Sequence, residues 1–250
     1  MFCCLQRNEN CEFIDSFSTC LEYKLKRVKF VLLNFLPRMT IAILVVLAYL
    51  LGAIPTAVWV SKKYYGIDIR EHGSGNAGAT NTFRILGSKA GSAVMMIDML
   101  KGFFAVKLSL LSSFPWHSEA ITNLQIFLGL ASVLGHIFPI WADFKGGKGI
   151  ATLFGMILGI QPLVAVSLVC VFLAILFLTR YVSLSSITAS VAFPLLILFI
   201  FKAPELSYRV FAIATACLVV MTHHKNITRL LHGNENKVPI FRKRRLRRRN

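Results

Sequence analysis

The feature of this sequence that most restricts its fold is a series of apolar runs, most of them close to 20 residues long and nearly free of charge. A helix needs about 20 apolar residues to cross the hydrocarbon core of a bilayer. Only 16% of the residues are charged, against about a quarter in soluble domains, and 56% are hydrophobic. The chain is therefore predicted to be an integral membrane protein with little room for a separate soluble domain.

The spacing of the runs predicts an all-α fold, a compact bundle of about seven transmembrane helices with short loops. The fourth run is short and turns tightly into the fifth at Gln161-Pro162, so it crosses either at an angle or only part of the way. The predicted spans are about 40–60, 90–113, 122–141, 150–161, 163–179, 183–201 and 209–223.

Lys and Arg are distributed unequally between the two ends of these spans. One side carries the connections 61–89 and 142–149, Arg180 and the basic C-terminal stretch, whereas the connections on the other side contain only Lys202 and Arg209. Cytoplasmic loops are enriched in Lys and Arg. The loops on the basic side are therefore predicted to face the cytoplasm, and the first span is predicted to begin outside.

Residues 1–38 contradict this orientation, because they carry several Lys and Arg on the side predicted to lie outside. They also lack the pattern of a cleaved signal peptide. We expect the functional protein to start at Met39, directly before the first strong span, which makes 1–38 an N-terminal extension from an upstream start codon. The alternative is an amphipathic arm, from Tyr23 to Leu36, that lies on the membrane.

The other end of the chain is strongly basic. Residues 237–250 contain eight Lys or Arg and no acidic residue, so a transmembrane domain at 39–237 is predicted to end in a basic cytoplasmic tail at 238–250. The tail either binds anionic headgroups, at roughly 1 kcal/mol per residue near the surface, or is solvated and fixes the orientation. Nucleic-acid binding is not predicted, because no aromatic platform or folded reader accompanies the charges.

Residues 73–84 form the first of two loops rich in small residues. Glycines let backbone N–H groups turn towards one anion, and an arginine adds charge. Packing of small residues between helices is the competing interpretation, and it explains the glycines but not the polar side chains. We therefore predict a phosphate-binding loop, with the candidates Gly73, Ser74, Gly75, Asn76, Thr80, Asn81 and Arg84.

The second loop reads Lys145-Gly146-Gly147-Lys148-Gly149 and comes directly before the fourth span. The nucleotide-binding pattern Gly-x4-Gly-Lys-Ser/Thr is absent and no strand precedes the loop, so ATP binding is not predicted. Two lysines at the start of a helix still favour an anion site, because the helix N-terminus is itself positive. His136, which precedes the loop, is interpreted as a hydrogen-bonded packing residue.

Asp98 and Lys101 lie three residues apart in the second span and therefore share one helical face. An ion pair between them lowers the cost of placing charge within the membrane. The pair is interpreted either as part of a functional site or as a structural clamp. Lys101 is also a candidate for reaching the polar site and binding substrate.

A third polar segment follows the last span, from His223 to Lys237. His223 and Asn226 share one face at helical spacing, so a short amphipathic helix is predicted to close the site. A histidine there is a candidate general base or a hydrogen-bond partner of a phosphate. No metal is predicted, because His223 and His224 have no clear carboxylate or cysteine partner.

These three elements, in this order between spans, resemble the bacterial acyl-phosphate:glycerol-3-phosphate acyltransferase family. The likeness extends from Tyr49 to Lys237. It implies transfer of a fatty acyl group from acyl phosphate to glycerol 3-phosphate, which gives 1-acyl-glycerol 3-phosphate (lysophosphatidic acid) and phosphate in the first acylation step of phospholipid synthesis. It also implies a bacterial inner-membrane enzyme with a cytoplasmic active site. The densest stretches are Gly73–Arg84, Asp98–Gly102, Gly135–Thr152 and His223–Glu235.

An acyl phosphate is already activated, so the implied catalyst chiefly holds the reactants together and neutralises charge. No Ser-His-Asp set or nucleophilic Cys is apparent, which favours direct attack by the glycerol hydroxyl. His223 is then either a general base or a positioning group, with the substrate phosphate helping to remove the proton. The implied catalytic residues are Ser74, His223 and Asn226. The implied substrate-binding residues are Gly73, Gly75, Asn76, Thr80, Asn81, Arg84, Lys101, Lys145, Gly146, Gly147, Lys148, Ser183, Ser186 and Glu235.

The main non-enzymatic alternative is a membrane transporter of a phosphorylated metabolite. Such transporters typically have related halves with broken helices near the midplane, and the sequence has no visible repeat of this kind. Acyltransferases that use acyl thioesters and a His-x4-Asp pair are a second alternative, but none of the six histidines has Asp five positions later. The implied partners are the two substrates and membrane lipids, and no metal or organic cofactor is implied.

Overall fold

A computed structural model describes residues 38–237. The predicted basic tail lies outside the described residues, as does the predicted N-terminal extension apart from Arg38, and the start at Met39 stays a prediction. The chain divides into two units at Ile43 and Leu44, and the contacts given below all lie within residues 44–237.

Helices are the only regular secondary structure of the described residues. Short 3₁₀ helices at Ile69–Glu71, Leu108–Leu111 and Ile140–Ala142 and a π-helical turn at Leu196–Ile200 lie in the connections. The α-helices are α1 (38–52), α2 (Thr56–Tyr65), α3 (Ala79–Leu86), α4 (Ser88–Lys107), α5 (Glu119–Ile137), α6 (Ile150–Ile160), α7 (Pro162–Thr179), α8 (Val182–Leu195), α9 (Leu206–Thr222) and α10 (His224–Leu231).

The predicted all-α membrane fold is confirmed, and the helices lie close to the predicted spans. By length and composition, four stretches of the described residues can cross a bilayer, or five if the bent pair α9 and α10 counts as one. The helix α4 is not among them, since it carries several charged side chains, and α6 has only 11 residues. The number of seven spans therefore stays a prediction.

The first predicted span is interrupted at residues 53–55, between α1 and α2. Pro55 has no backbone N–H, so it cannot continue the hydrogen bonding of α1, and it stands instead at the N-terminus of α2. The break leaves backbone carbonyl groups available inside the bundle, and one of these, on Ile54, becomes important below.

Small residues bring α4 and α6 into close contact. An added Cβ atom at Gly102 would overlap the carbonyl oxygen of Thr152, and one at Gly155 would overlap that of Met99. Glycine at these positions lets two membrane helices pack backbone to backbone. The pairing matters for function because α6 begins directly after the lysine loop.

A second set of contacts joins α8 and α9 through aromatic rings. The ring of Phe193 lies edge-on to Phe211, with 5.7 Å between centroids, and Tyr208 stacks on Phe211 at 6.0 Å. By contrast, only 17% of the residues of α7 are buried in the bundle, which leaves most of this helix for contact with lipid. The helices α8 and α9 therefore form a packed support for α10, which follows α9 directly.

Candidate active site

The first glycine loop is shaped by a buried amide side chain. The Oδ1 atom of Asn81 accepts the backbone N–H of Ser74 at 3.0 Å, and its Nδ2 donates to the carbonyl groups of His72 and Ile69 at 2.9 and 3.1 Å. Only 1% of Asn81 is exposed. All these bonds go to the loop backbone, so Asn81 holds the loop in shape.

Two glycines give the loop its turn. Gly73 and Gly75 have φ angles of +64° and +72°, in the left-handed region that favours glycine. An added Cβ atom at Gly73 would also overlap the side chain of Asn81. The turn leaves Ser74, Thr80 and Arg84 exposed and Asn76 half-buried. Within residues 38–237, the side chain of Arg84 makes no hydrogen bond or ion pair, so its guanidinium is available to a ligand.

An arginine that precedes the first loop ties it to the second. The guanidinium of Arg70 pairs with Asp68 at 2.8 Å and donates to the carbonyl oxygen of Ala142 at 3.0 Å. The hydrogen bond from Arg70 holds the pKa of Asp68 well below its usual range. Asp68 also forms an ion pair with Lys62, with 3.1 Å between Oδ2 and Nζ. These contacts fix the start of the first loop against the segment that leads into the second.

The second loop folds back onto the end of α5. The N–H of Gly146 donates to the carbonyl of Ile137 at 3.1 Å, and that of Gly147 donates to the carbonyl of His136 at 3.2 Å. An added Cβ atom at Gly147 would lie 3.0 Å from the carbonyl oxygen of Ala77 in the first loop. The two glycine loops are therefore in contact. Lys145 is exposed, whereas Lys148 is half-buried.

Lys148 connects the second loop with the third polar segment. Its ammonium group donates to the Oδ1 atom of Asn226, in the first turn of α10. Burial lowers the pKa of Lys148 to about 8, and the nearby Arg229 acts in the same direction. A lysine with a pKa near 8 is still largely protonated at neutral pH, so Lys148 presents a cation at the meeting point of the two elements.

Glu235 ties α10 to α8. Its Oε1 atom accepts from Asn226 at 2.8 Å and from Ser183 at 2.9 Å, and its Oε2 atom accepts from Arg229 at 2.8 Å. Burial raises the pKa of Glu235, but these three hydrogen bonds outweigh it and leave the pKa below its ordinary value. Lys237 lies 5.2 Å from the ring centroid of Tyr181, and so adds a second contact with the start of α8.

His223 lies at the junction of α9 and α10 and is buried. Its Nδ1 atom is 2.8 Å from the carbonyl oxygen of Val219. A carbonyl can only accept, so Nδ1 carries the proton that it donates there. In the neutral ring Nε2 is then unprotonated and is free to accept a hydrogen bond from a hydroxyl group.

The remaining candidates occupy the bundle interior. Ser186 is buried on α8, one turn from Ser183. Lys101 is only 4% exposed, and its ammonium group bonds to Asp98 and to the carbonyl of Ile54 at 3.0 Å each. Lys101 therefore has protein partners on α4 and at the α1–α2 break, in contrast to the exposed Arg84.

A cavity of about 450 Å³ lies where the first and second loops meet. Its wall carries three acidic and two basic side chains, so it does not by itself favour an anion. Of the residues predicted for the site, it includes Gly75, Lys145 and Gly146. The full set of lining residues is Asp68, Arg70, Glu71, Gly75, Asp143, Lys145 and Gly146.

A sequence model of the family described as glycerol-3-phosphate acyltransferase matches residues 42–233. The chain belongs to the glycerol-3-phosphate acyltransferase family. A glycerol-3-phosphate acyltransferase of Bacillus velezensis is 46% identical over 203 residues, which are 81% of this chain and 100% of the relative. One of Streptococcus pneumoniae strain CGSP14 is 43% identical over 204 residues, which are 79% of this chain and 92% of the relative.

Two crystal structures of PlsY (YgiH), an integral membrane glycerol 3-phosphate acyltransferase, are also similar to this chain. The glycerol 3-phosphate form has a TM-score of 0.71 at 42% identity and covers 79% of this chain and 95% of its own. The lysophosphatidic acid form has a TM-score of 0.68 at 42% identity and covers 79% and 94%. The family assignment makes this chain a multi-pass membrane protein and places it among acyltransferases rather than transporters.

Two contacts of the site had only weak signals in the sequence. The link through Arg70 was visible as part of the polar stretch before the first glycine loop, but nothing in its spacing indicated a bond to Ala142. His136 is buried and bonded to Thr152, as expected of a hydrogen-bonded packing residue, but its additional contact with Gly147 of the second loop had no signal in the spacing. Arg70 binds the segment that leads into the second loop, and His136 contacts Gly147 within that loop.

Proposed function

We propose that this protein transfers a fatty acyl group from acyl phosphate to glycerol 3-phosphate, giving 1-acyl-glycerol 3-phosphate and inorganic phosphate. The observation that carries the proposal is the convergence of three polar elements. The first loop contacts the second at Ala77 and Gly147, and the second contacts α10 through Lys148 and Asn226. Further support comes from the relatives, which are named for glycerol 3-phosphate as acceptor.

The phosphate groups bind to cations and to donors of the two loops in this proposal. Arg84 and Lys148 provide the charge that balances two phosphorylated substrates. Asn81 acts through the shape of the first loop, since its amide is occupied by backbone groups. The proposed phosphate ligands are Gly73, Ser74, Gly75, Asn76, Thr80, Arg84, Lys145, Gly146, Gly147 and Lys148.

The acceptor hydroxyl binds at the start of α10. The unprotonated Nε2 of His223 accepts its hydrogen bond, and Asn226 completes its orientation. Glu235 and Ser183 keep Asn226 in place through the hydrogen bonds that join α10 to α8. Ser186 lies close to this junction on α8 and is kept as a further candidate for contact with substrate.

The reaction proceeds by direct transfer. The hydroxyl oxygen attacks the carbonyl carbon of the acyl phosphate, a carbon–oxygen bond forms, and the bond between the carbonyl carbon and the phosphate oxygen breaks. The hydroxyl proton leaves with the departing phosphate, which is a better base than the anhydride. Cations that are already in position stabilise the negative charge that develops on the leaving group.

The site is proposed to face the cytoplasm of a bacterial inner membrane. Both glycine loops belong to connections that are rich in Lys and Arg. Such connections are enriched on the cytoplasmic side of membrane proteins. Soluble glycerol 3-phosphate then approaches from water while the acyl chain stays among membrane lipids. No metal takes part in the proposed chemistry.

The choice of acyl donor is the decisive test. Purified protein is incubated with glycerol 3-phosphate and one of three donors, namely acyl phosphate, an acyl thioester of coenzyme A or an acyl thioester of acyl carrier protein. We expect lysophosphatidic acid from acyl phosphate alone. Product from a thioester but not from acyl phosphate would overturn the proposed donor. Uptake of glycerol 3-phosphate into protein-containing vesicles without acylation would instead support a transporter.

A further inference from the structure

A buried polar cluster lies inside the bundle, below the second loop, and consists of Asp98, Lys101, His136 and Thr152. Their exposed fractions are 2%, 4%, 7% and 0%. The ammonium group of Lys101 lies 3.0 Å from Oδ1 of Asp98, one turn away on α4. Charges withdrawn from water in a membrane protein carry a large desolvation cost and tend to mark functional positions.

The buried polar cluster joins four parts of the bundle. Lys101 donates to the carbonyl of Ile54 at the α1–α2 break, at 3.0 Å. Oδ1 of Asp98 lies 3.7 Å from Nδ1 of His136, on α5. The same nitrogen is 3.2 Å from the hydroxyl of Thr152, on α6. One edge of the His136 ring is therefore held by α4 and α6 together.

The other edge of the same ring lies against the second loop. An added Cβ atom at Gly147 would overlap Nε2 of His136. The backbone of this segment is also bound to the loop, since the carbonyl of His136 accepts the N–H of Gly147 at 3.2 Å and that of Ile137 accepts Gly146 at 3.1 Å. Lys148 follows Gly147 directly, so a shift of His136 would also shift the backbone from which the Lys148 side chain extends.

We infer that Asp98, Lys101 and His136 are positioning residues, which fix the second loop so that Lys148 can bind a substrate phosphate. Lys101 then acts through the loop rather than by touching substrate, in agreement with its two protein partners. The inference rests on the proposed function for the identity of the ligand. The lysines of the site then have two roles. The buried Lys101 holds the second loop in place, whereas the exposed Lys145 and the half-buried Lys148 bind the phosphate.

A simple structural clamp predicts different kinetics from a positioning role. Loss of a clamp lowers the fraction of folded protein, so kcat falls while KM keeps its value. Loss of positioning weakens the binding of phosphate by a folded enzyme, so KM rises. Misplacement of a binding group by about 1 Å can reduce kcat/KM on the order of 100-fold. The ratio of the two kinetic effects therefore distinguishes the roles.

The chain offers a matched control on the same helix. Lys107, the last residue of α4, donates to the carbonyl of Gly159 at 3.0 Å and so resembles Lys101 in its bond to a backbone carbonyl. It lies at the C-terminal end of α4, about 9 Å along the helix axis beyond Lys101, and its bond goes to the far end of α6 rather than to the buried polar cluster. Lys107→Met removes a lysine and its helix–helix bond without touching the second loop.

The test compares Asp98→Asn, Lys101→Met and His136→Gln with Lys107→Met in the purified full-length protein. We expect the first three variants to lower kcat/KM on the order of 100-fold, mostly through a higher KM for glycerol 3-phosphate or for acyl phosphate. Lys107→Met should leave both KM values within twofold of wild type. His136→Gln keeps the ion pair between Asp98 and Lys101, so it remains informative if the variants that break this pair fail to fold. Unchanged KM in His136→Gln, or an equal rise in Lys107→Met, would overturn the inference.

A second measurement does not depend on the reaction. Amide hydrogen exchange is followed for peptides that cover residues 145–149, in the absence of substrate. Faster exchange at Gly146 and Gly147 is expected in Asp98→Asn and His136→Gln but not in Lys107→Met. If wild type failed to use acyl phosphate, the proposed function would be lost while this result still decided the positioning role. Exchange identical to wild type in both variants would contradict it.

Discussion

Lys148 and Arg84 carry the charge of the proposed site, but they do so in different settings. Lys148 is half-buried and bonded to Asn226, whereas Arg84 is exposed. Neither side chain belongs to the apolar core of the bundle, so we expect the protein to fold without either of them. Variants at these two positions therefore separate the binding of substrate from the folding of the protein.

Replacement of either cation by alanine is expected to abolish transfer while the protein remains folded in the membrane. Loss of one preorganised charge or donor at a developing anion typically costs on the order of 10²–10³ in rate. The measurement is kcat/KM with acyl phosphate, beside the amount of protein that elutes as a single folded peak. Lys225→Ala, on the exposed face of α10, is the control and should keep normal turnover. Near-normal activity of Lys148→Ala or Arg84→Ala would contradict the assignment.

The pH dependence of the reaction follows from the environment of Lys148. Burial lowers its pKa to about 8, so it loses its charge as the pH rises through that value. We expect kcat/KM to fall above a pH of about 8, because this ratio reports the free enzyme. Lys148→Arg keeps the charge at any pH used and should move the fall to higher pH. An unchanged alkaline limb in Lys148→Arg would show that another group is responsible.

The third element owes its position to contacts that connect distant parts of the sequence. Ser183 and Glu235 are 52 residues apart, yet they share a hydrogen bond of 2.9 Å. Glu235 accepts two further hydrogen bonds from side chains of α10 itself. A single carboxylate thus holds α10 against α8, and its loss leaves Asn226 without one of its partners.

Glu235→Ala is expected to loosen α10 and to lower kcat/KM roughly tenfold, since hydrogen bonds to a charged group contribute about 1.5–3 kcal/mol. The bond to Arg229 is partly exposed and contributes less than the other two. Hydrogen exchange of residues 224–231 should rise in the same variant. Glu119→Ala, at the exposed start of α5, provides the comparison. Normal exchange and normal activity together would show that Glu235 has no ordering role.

The helices could be predicted because each depends on a local pattern, but the contacts between them could not. Runs of apolar residues gave the positions of α5, α7 and α8, and glycine with polar neighbours marked the first loop. The spacing of Asn81, however, does not reveal whether its amide faces a ligand or the loop backbone. The break at Pro55 had a local signal in the missing N–H, yet it was included in one continuous span.

At the scale of the whole molecule, the proposed chemistry requires both glycine loops on the cytoplasmic side. Lys89 follows the first loop at the start of α4, and His117 lies in the connection between α4 and α5, and both are exposed. After replacement of the six native cysteines by serine, His117→Cys should react with a membrane-impermeant maleimide on intact cells. Lys89→Cys should react only after permeabilisation. The reverse pattern would place the loops outside and remove the basis of the proposal.

The stoichiometry of a single reaction tests the central claim most directly. Lysophosphatidic acid and inorganic phosphate are quantified together, with acyl phosphate and glycerol 3-phosphate as substrates, for wild type and Lys148→Ala. The account predicts one phosphate released for each acyl group transferred by wild type, and neither product above background from Lys148→Ala. Equal product formation by the two proteins, or release of phosphate without acylated product, would contradict it.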